Sequence, residues 1–160
     1  MPGRVLVTDD EPQIRLVLRK YLEADGFEVS ESDSGEDALD RLGAAWGDGG
    51  PTYDAVLLDI GLPGIDGLEV LRRIRMTSDV VVILLTARAE ELDTLIGLGV
   101  GADDYIVKPF SPREVVARVK TVLRRARPAV GSPSAAPVAP SEAGAPRETA
   151  DAAPLRDWLA

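Results

Sequence analysis

The chain has 160 residues, of which 45% are hydrophobic, and this is enough for one domain with a substantial core. It contains neither cysteine nor histidine, which excludes disulfide bonds, zinc clusters and any catalysis or metal binding by histidine. A bound metal ion would need oxygen ligands, as Mg²⁺ does. The net charge of −9 disfavours nucleic acid as a partner of this chain itself.

No feature of the sequence predicts a membrane protein. The first residues have no signal-peptide pattern, and the longest apolar run, residues 80–85, is far too short to span a bilayer. We therefore expect a cytoplasmic protein without a membrane partner.

Residues 4–126 alternate between strand and helix patterns. Strands are predicted at 4–8, 27–32, 55–59, 80–86 and 104–107. The first, third and fourth are nearly continuous apolar runs, which is typical of strands that helices cover on both faces. The second has polar residues at alternate positions, Glu28 and Ser30, so we expect it at an edge of the sheet.

The helices are predicted mainly from how they begin. Pro12 fits the first turn of the first helix. Ser34, Asp66 and Ser111 each precede an acidic residue three positions later, a capping pattern that predicts the starts of the second, third and fifth helices. Five β–α units in succession predict an α/β fold, a doubly wound parallel sheet of five strands with five helices, as in flavodoxin-like proteins.

The fourth helix, near residues 90–98, has the weakest pattern. Gly97 and Gly99 lie within it or at its end, and a glycine in a helix interior costs about 1 kcal/mol relative to alanine. The two glycines indicate either a frayed C-terminus or an element that stays mobile for switching, and the local sequence favours neither.

A change in composition at residue 128 predicts the end of the folded part. Of residues 128–154, 20 of 27 are alanine, proline, serine or glycine, without periodicity. Such a segment buries too little apolar surface to order itself. The predicted organisation is a domain at residues 1–127 and a flexible linker or tail at 128–160, with no DNA-binding domain in this chain.

Polar side chains stand at the ends of four predicted strands. Asp9 and Asp10 follow the first, Asp59 ends the third, Thr86 ends the fourth and Lys108 follows the fifth. The carboxyl ends of parallel strands meet at one edge of the sheet, which is where doubly wound folds bind ligands. Three carboxylates, a hydroxyl and an ammonium group gathered there suit a divalent cation and a phosphoryl group.

The chemistry that these residues favour is phosphoryl transfer to Asp59. A carboxylate can attack phosphorus and hold the group as an acyl phosphate. The approach of two anions requires neutralising charge, which Mg²⁺ on Asp9 and Asp10 and the ammonium of Lys108 can supply. Thr86 can donate a hydrogen bond to a phosphoryl oxygen.

Four motifs that contain these residues occur in the order and spacing of a known family. They are 9–12 (DDEP), 59–67 (DIGLPGIDG), 86–88 (TAR) and 103–110 (DDYIVKPF). On these motifs, residues 4–127 resemble bacterial two-component response-regulator receiver domains. Residues 102–110 and 114–118 are most similar to the OmpR/PhoB-type subfamily, whose members carry a winged-helix DNA-binding domain.

This resemblance implies that Asp59 accepts its phosphoryl group from a sensor histidine kinase. It implies Mg²⁺ as the cofactor, with Asp10, Asp59 and the backbone carbonyl of Gly61 as ligands and Asp9 acting mainly through water. The protein would be a phosphorylation-controlled switch that assists its own phosphorylation and dephosphorylation but is not otherwise an enzyme.

The resemblance also implies how the switch works. On phosphorylation, the hydroxyl of Thr86 turns toward a phosphoryl oxygen and the ring of Tyr105 turns inward into the vacated space. A cis peptide bond between Lys108 and Pro109 is implied as well. Without the resemblance, Tyr105 would be interpreted as an edge-strand aromatic and Lys108 as a solvated surface lysine.

For this subfamily, the resemblance implies a phosphorylation-dependent homodimer through the fourth helix, fifth strand and fifth helix. The implied ion pairs across the two-fold axis are Asp104 with Arg118 and Asp103 with Arg125. A third pair would join a basic residue of the fourth helix to Glu114, but Thr94 occupies that position. Because exposed ion pairs contribute about 0–1 kcal/mol each, its loss weakens or alters the dimer without abolishing it.

The sequence leaves one alternative interpretation open and disfavours two others. One is the receiver fragment of a DNA-binding transcription regulator whose effector domain is absent, which the sequence does not separate from a single-domain regulator. A haloacid-dehalogenase-like phosphatase also uses a strand-end aspartate with Mg²⁺, but it needs a second aspartate two residues later, where this chain has Gly61. A phosphorylation-independent scaffold is disfavoured because Asp59 and Lys108 are both present.

Overall fold

The computed structural model of the chain describes residues 3–46 and 52–126. These residues form one sheet of five parallel strands in the order β2-β1-β3-β4-β5, with a helix after each strand. The strands are β1 (Arg4–Thr8), β2 (Glu28–Ser32), β3 (Ala55–Asp59), β4 (Val81–Thr86) and β5 (Asp104–Val107). The helices are α1 (Pro12–Ala24), α2 (Gly35–Trp46), α3 (Gly67–Arg75), α4 (Ala89–Leu98) and α5 (Pro112–Ala126).

The predicted α/β fold is confirmed, and β2 lies at an edge of the sheet as its polar pattern predicts. β2 and β4 each begin one residue later than predicted, at Glu28 and Val81. The tail predicted at residues 128–160 lies outside the described residues. No helix within residues 3–46 and 52–126 is long and apolar enough to cross a lipid bilayer.

The sheet separates two cores, and its strands contribute to both. Val5 and Val7 of β1 belong to the core that includes α1 and α5, whereas Leu6 belongs to the core that includes α2, α3 and α4. All residues of β3 and β4 are buried. This two-sided burial explains why these strands read as continuous apolar runs rather than alternating ones.

Side chains cap the helices where the sequence predicts it. The hydroxyl of Ser34 accepts a hydrogen bond from the N–H of Asp37, and the carboxylate of Asp66 accepts one from the N–H of Glu69. The hydroxyl of Ser111 accepts from the N–H of Arg113, one residue earlier than a capping box requires. Three of the five helices are therefore anchored by the residue before them.

The start of α3 lies directly against the end of β3. A Cβ atom at Gly67 would collide with the backbone of Asp59 and Ile60, so no larger residue fits there without displacing one of the two elements. The N–H of Gly67 donates to the carbonyl of Ile60 at 2.9 Å. This close approach holds the end of β3, where Asp59 lies, rigidly against a helix.

The structure shows how the fourth helix ends, while its predicted mobility stays a prediction. α4 ends at Leu98, and Gly99 follows it with φ +60°, the left-handed conformation that commonly closes helices. Gly99 is thus a C-terminal cap, whereas Gly97 lies inside the helix. Arg88 occupies the N-cap position of α4 and provides no side-chain hydrogen bond.

Candidate functional site

Three carboxylates meet at the carboxyl ends of β1 and β3. Oxygen atoms of Asp9, Asp10 and Asp59 all lie within 4.8 Å of one another. Asp9 and Asp59 are buried, whereas Asp10 is exposed. Oxygen ligands of this kind, open to solvent on one side, suit Mg²⁺, which keeps several water molecules when proteins bind it.

Lys108, which follows the edge strand β5, reaches this cluster. Its Nζ lies 3.1 Å from Oδ2 of Asp9 and 3.4 Å from Oδ1 of Asp59. The peptide bond between Lys108 and Pro109 is cis, as the resemblance implies. The ammonium group is largely buried between two carboxylates, so its interpretation as a solvated surface lysine is wrong.

The cluster shifts the ionisation of its members. Burial, reinforced by the neighbouring charge of Asp9, raises the pKa of Asp59 despite the opposing effects of Lys108 and of the Gly61 N–H. Burial disfavours the charged form of Lys108, but the carboxylates of Asp9 and Asp59 outweigh it and raise the pKa of this ammonium. The ionised form of Asp59 is therefore held at a cost that a bound cation would relieve.

Backbone N–H groups orient two of the carboxylates. The N–H of Gly61 donates to Oδ1 of Asp59 at 3.2 Å, and the N–H of Glu11 donates to Oδ1 of Asp9 at 2.9 Å. Arg15 of α1 adds a hydrogen bond to the backbone carbonyl of Asp9 at 2.7 Å. The N–H of Gly61 thus lies beside Asp59, whereas the metal-binding role of its carbonyl stays a prediction. Arg15 is a supporting residue that sequence reasoning missed.

Thr86 is buried at the end of β4, but its hydroxyl is engaged with α4. Oγ1 donates to Oε1 of Glu91 at 2.6 Å and accepts from the N–H of Arg88 at 3.1 Å. The Thr86 side chain is only 1% exposed. Sequence reasoning missed Glu91, and its place in the first turn of α4, five residues after Thr86, is the one signal that could have indicated it.

Tyr105 lies half-buried on the edge strand β5. Its ring packs against the core that includes α2, α3 and α4. Burial, with a smaller contribution from the charge of Asp104, raises the pKa of its hydroxyl. The buried Leu95 of α4 belongs to the same core as the ring of Tyr105.

Three of the four charged residues predicted at a dimer interface, Asp103, Asp104 and Arg118, are paired within the described part of the single chain. Arg118 lies 3.0 Å from Asp104 and 3.3 Å from Glu114. Asp103 accepts hydrogen bonds from the N–H of Val82 at 2.9 Å and from Arg75 at 3.0 Å. Dimerisation stays a prediction, and it would have to replace or share these intrachain contacts.

Arg125 and Thr94, the remaining positions of the predicted interface, are both exposed, on α5 and α4 respectively. Arg75 was missed by sequence reasoning. It donates to the carbonyls of Gly101, Ser78 and Val80 as well as to Asp103, and so ties the end of α3 to the approach to β5.

Comparison with known proteins agrees with this geometry. Residues 5–120 match the response regulator receiver domain family. The chain belongs to this family. Receiver domains are the phosphoacceptor switches of two-component systems rather than metabolic enzymes, and phosphorylation and Mg²⁺ binding are typical of them.

Among similar proteins is the transcriptional regulatory protein ResD of Bacillus subtilis, 48% identical over 123 residues, which are 77% of this chain and 49% of ResD. BaeR of Escherichia coli is 46% identical over 125 residues, 78% of this chain and 50% of BaeR. The receiver therefore spans about half the length of the relatives that it matches.

Solved structures resemble the fold as well. The response regulator TrrA of Thermotoga maritima, in complex with Mg²⁺ and beryllofluoride, has a TM-score of 0.64 and 40% identity over 74% of this chain and 97% of TrrA. DrrB, an OmpR/PhoB homologue of Thermotoga maritima, has a TM-score of 0.66 and 35% identity over 79% of this chain and 54% of DrrB.

Proposed function

We propose that Asp59 is the phosphoacceptor of this receiver and that a sensor histidine kinase is its donor. The observation that carries the proposal is the cluster of Asp9, Asp10 and Asp59 within 4.8 Å, with the ammonium of Lys108 between two of its members. Asp59 has the position of a nucleophile, since it ends a buried strand and presents its carboxylate beside a cation.

In the reaction, a carboxylate oxygen of Asp59 forms a bond to phosphorus while the bond between phosphorus and the kinase's histidine nitrogen breaks. The histidine nitrogen keeps the electron pair. Lys108 contacts a phosphoryl oxygen and offsets its charge. Asp59 is already oriented by the N–H of Gly61, so little reorganisation precedes the attack.

Mg²⁺ is the proposed cofactor. Asp10, Asp59 and the backbone carbonyl of Gly61 would bind it directly and Asp9 through water, and the ion would supply neutralising charge for the transferred group. Burial and, after it, the charge of Asp9 raise the pKa of Asp59, and a bound cation would lower the cost of its ionised form, which supports this assignment. The same site would hydrolyse the acyl phosphate and so reset the switch.

The proposed response to phosphorylation involves Thr86 and Tyr105. The hydroxyl of Thr86 turns to a phosphoryl oxygen, and the ring of Tyr105 moves further into the core. The α4–β5–α5 face then pairs with a second copy, and Asp103, Asp104, Arg118 and Arg125 form its ion pairs. The proposed output is control of transcription, since relatives such as ResD and BaeR are named transcriptional regulatory proteins.

The test is the intact mass of the protein after incubation with acetyl phosphate, with and without Mg²⁺. We expect one phosphoryl adduct that requires Mg²⁺ and is absent from Asp59→Asn. Asp33→Asn is the matched control, because Asp33 is an exposed aspartate that follows β2 at the same end of the sheet. It should form the adduct as the wild type does.

Two results would contradict the proposal. One is a folded wild-type protein that gains no adduct and binds no beryllofluoride, the phosphoryl analogue. The other is an adduct that persists in Asp59→Asn, which would place the acceptor elsewhere. Steady hydrolysis of a generic phosphomonoester would instead favour the phosphatase interpretation.

A further inference from the structure

The hydroxyl of Thr86 has one proton, and Glu91 holds it. The separation of 2.6 Å between Oγ1 of Thr86 and Oε1 of Glu91 is short, as expected for a hydroxyl that donates to a carboxylate. The same oxygen accepts from the N–H of Arg88, and the carbonyl of Arg88, at 3.5 Å, is a much more distant acceptor for the proton than Glu91. A threonine hydroxyl is a single donor, so while it serves Glu91 it cannot donate to a phosphoryl group on Asp59.

Glu91 in turn depends on Thr86. Across residues 3–46 and 52–126, its carboxylate makes no other hydrogen bond and no ion pair. Its backbone N–H donates to the carbonyl of Arg88, which places it in the first turn of α4. The bond to Thr86 therefore joins the end of β4 to the start of α4, a helix that has no side-chain cap of its own.

We propose that Glu91 is a positioning residue of the switch: it holds the hydroxyl of Thr86 away from the phosphoryl position and stabilises the unphosphorylated state. This inference rests on the proposed function, because it requires a phosphoryl group at Asp59 that competes for the same proton. Phosphorylation exchanges the bond to Glu91 for a bond to a phosphoryl oxygen. The free-energy difference between these two bonds contributes to the bias of the switch.

The exchange also explains how the signal would reach α4. Once Thr86 turns away, the carboxylate of Glu91 has lost its partner, and the first turn of α4 is no longer tied to β4. Among the side chains of α4 that the structure describes, Leu95 is then the buried one that still holds the helix against the core. A change of one hydrogen bond at Thr86 thus frees the N-terminal part of α4 to move.

Calorimetric titration of the protein with beryllofluoride in the presence of Mg²⁺ measures the affinity for the phosphoryl analogue. This affinity reports how strongly the unphosphorylated state is favoured. Glu91→Ala removes the competing acceptor, and we expect it to bind beryllofluoride at least about fivefold more tightly than the wild type. Glu91→Gln keeps a weaker, uncharged acceptor and should give an intermediate affinity. Glu90→Ala removes an equal charge from an exposed neighbour in the same turn and should stay within about twofold of the wild type.

A double-mutant cycle separates the hydrogen bond from simple charge repulsion. Thr86→Val has no hydroxyl for Glu91 to hold, so adding Glu91→Ala to it should change the affinity by less than about twofold. If Glu91→Ala tightens binding equally in the wild-type and Thr86→Val backgrounds, its effect is electrostatic and the proposal is overturned. An unchanged affinity of Glu91→Ala in the wild-type background overturns it too.

These failures differ from failure of the proposed function. If Glu91→Ala gives either of these results, the wild type still binds beryllofluoride and Asp59→Asn does not. The phosphoacceptor assignment is then supported, and only the role of Glu91 is contradicted. If neither the wild type nor any variant binds beryllofluoride, the phosphoacceptor assignment and the role of Glu91 fall together.

Discussion

Helices α3 and α4 both follow buried strands of the sheet, but they are attached to it very differently. α3 is capped by Asp66 and buries Val70, Leu71 and Ile74. α4 has Arg88 at its N-cap without a side-chain hydrogen bond, and Leu95 is its buried residue among those described. Its other large apolar side chains include Ile96 and Leu98, which are 56% and 71% exposed.

This difference divides the candidate site into a rigid side, where the following helix is firmly attached, and a loosely attached side, where it is not. The rigid side is the end of β3, where Gly67 brings α3 into contact with the backbone of Asp59. The loosely attached side is the end of β4, where Thr86 contacts α4 through Glu91. Elements that move in switching are drawn from the less stable parts of a protein, and α4 has the fewer attachments.

Matched leucine truncations should give the largest effects. Leu71→Ala in α3 should lower the free energy of unfolding by about 3 kcal/mol, since the packed surroundings cannot close the cavity. Leu95→Ala should cost nearer to about 2 kcal/mol, because the loosely attached α4 can collapse into the space. Urea denaturation measures both, and equal losses would show that the two helices are equally constrained.

Removing the charge of Asp59 should stabilise the rigid side when Mg²⁺ is absent. Its folded-state pKa is raised, so ionisation costs stability as the pH rises through that pKa. Asp59→Asn should therefore raise the free energy of unfolding at pH 7, and the gain should vanish below about pH 3.9, the ordinary pKa of aspartate. Added Mg²⁺ should stabilise the wild type more than the variant.

Chemical denaturation in EDTA between about pH 3.9 and pH 7, with Asp33→Asn as the control, tests whether Asp59→Asn raises the free energy of unfolding as the pH rises. A gain that stays constant with pH would mean that the raised pKa of Asp59 is not its cause. A loss of stability at pH 7 would mean that the ion pair with Lys108 outweighs burial and the charge of Asp9.

The caps of the two helices form a smaller comparison. Asp66→Ala removes the hydrogen bond to the N–H of Glu69 and should cost about 1 kcal/mol of stability. Arg88→Ala removes no cap and should cost less than about 0.5 kcal/mol. Thermal unfolding of the two variants measures both losses of stability. An equal loss for Arg88→Ala would show that the Arg88 side chain stabilises the start of α4.

Thr8, at the end of β1, is a buried residue whose hydroxyl group is not satisfied among the described residues. Its hydroxyl is fully buried in β1 and has no hydrogen-bond partner in the part of the chain that the structure describes. Thr8→Val keeps the shape and should stabilise the protein by about 0.5–1 kcal/mol. A loss of stability in chemical denaturation would indicate that the hydroxyl is hydrogen-bonded in solution.

Much of the fold follows from the sequence because local patterns and tertiary structure agree. Apolar runs at residues 55–59 and 80–86 predict strands buried on both faces, and the polar alternation at Glu28 and Ser30 predicts an edge. Gly99 shows the limit of such patterns. Its position suggests a weak helix end, but only the observed φ identifies it as a left-handed cap.

The site is predictable to the extent that its residues stand at strand ends. Asp9, Asp59 and Lys108 come together because parallel strands end at one edge of the sheet. Glu91 and Arg75 have no such pattern. Their partners are decided by the angle of a helix and by side-chain rotamers, which depend on the packed structure and not on spacing in the chain.

Hydrogen exchange of the wild type, free and bound to Mg²⁺ and beryllofluoride, tests most directly whether a phosphoryl group at Asp59 acts through α4. We expect exchange rates to change in α4 and in β5, which carries Tyr105, while amides of α3 stay within error of the free protein. A change in α3 as large as that in α4, or an unchanged α4 with beryllofluoride bound, would contradict it.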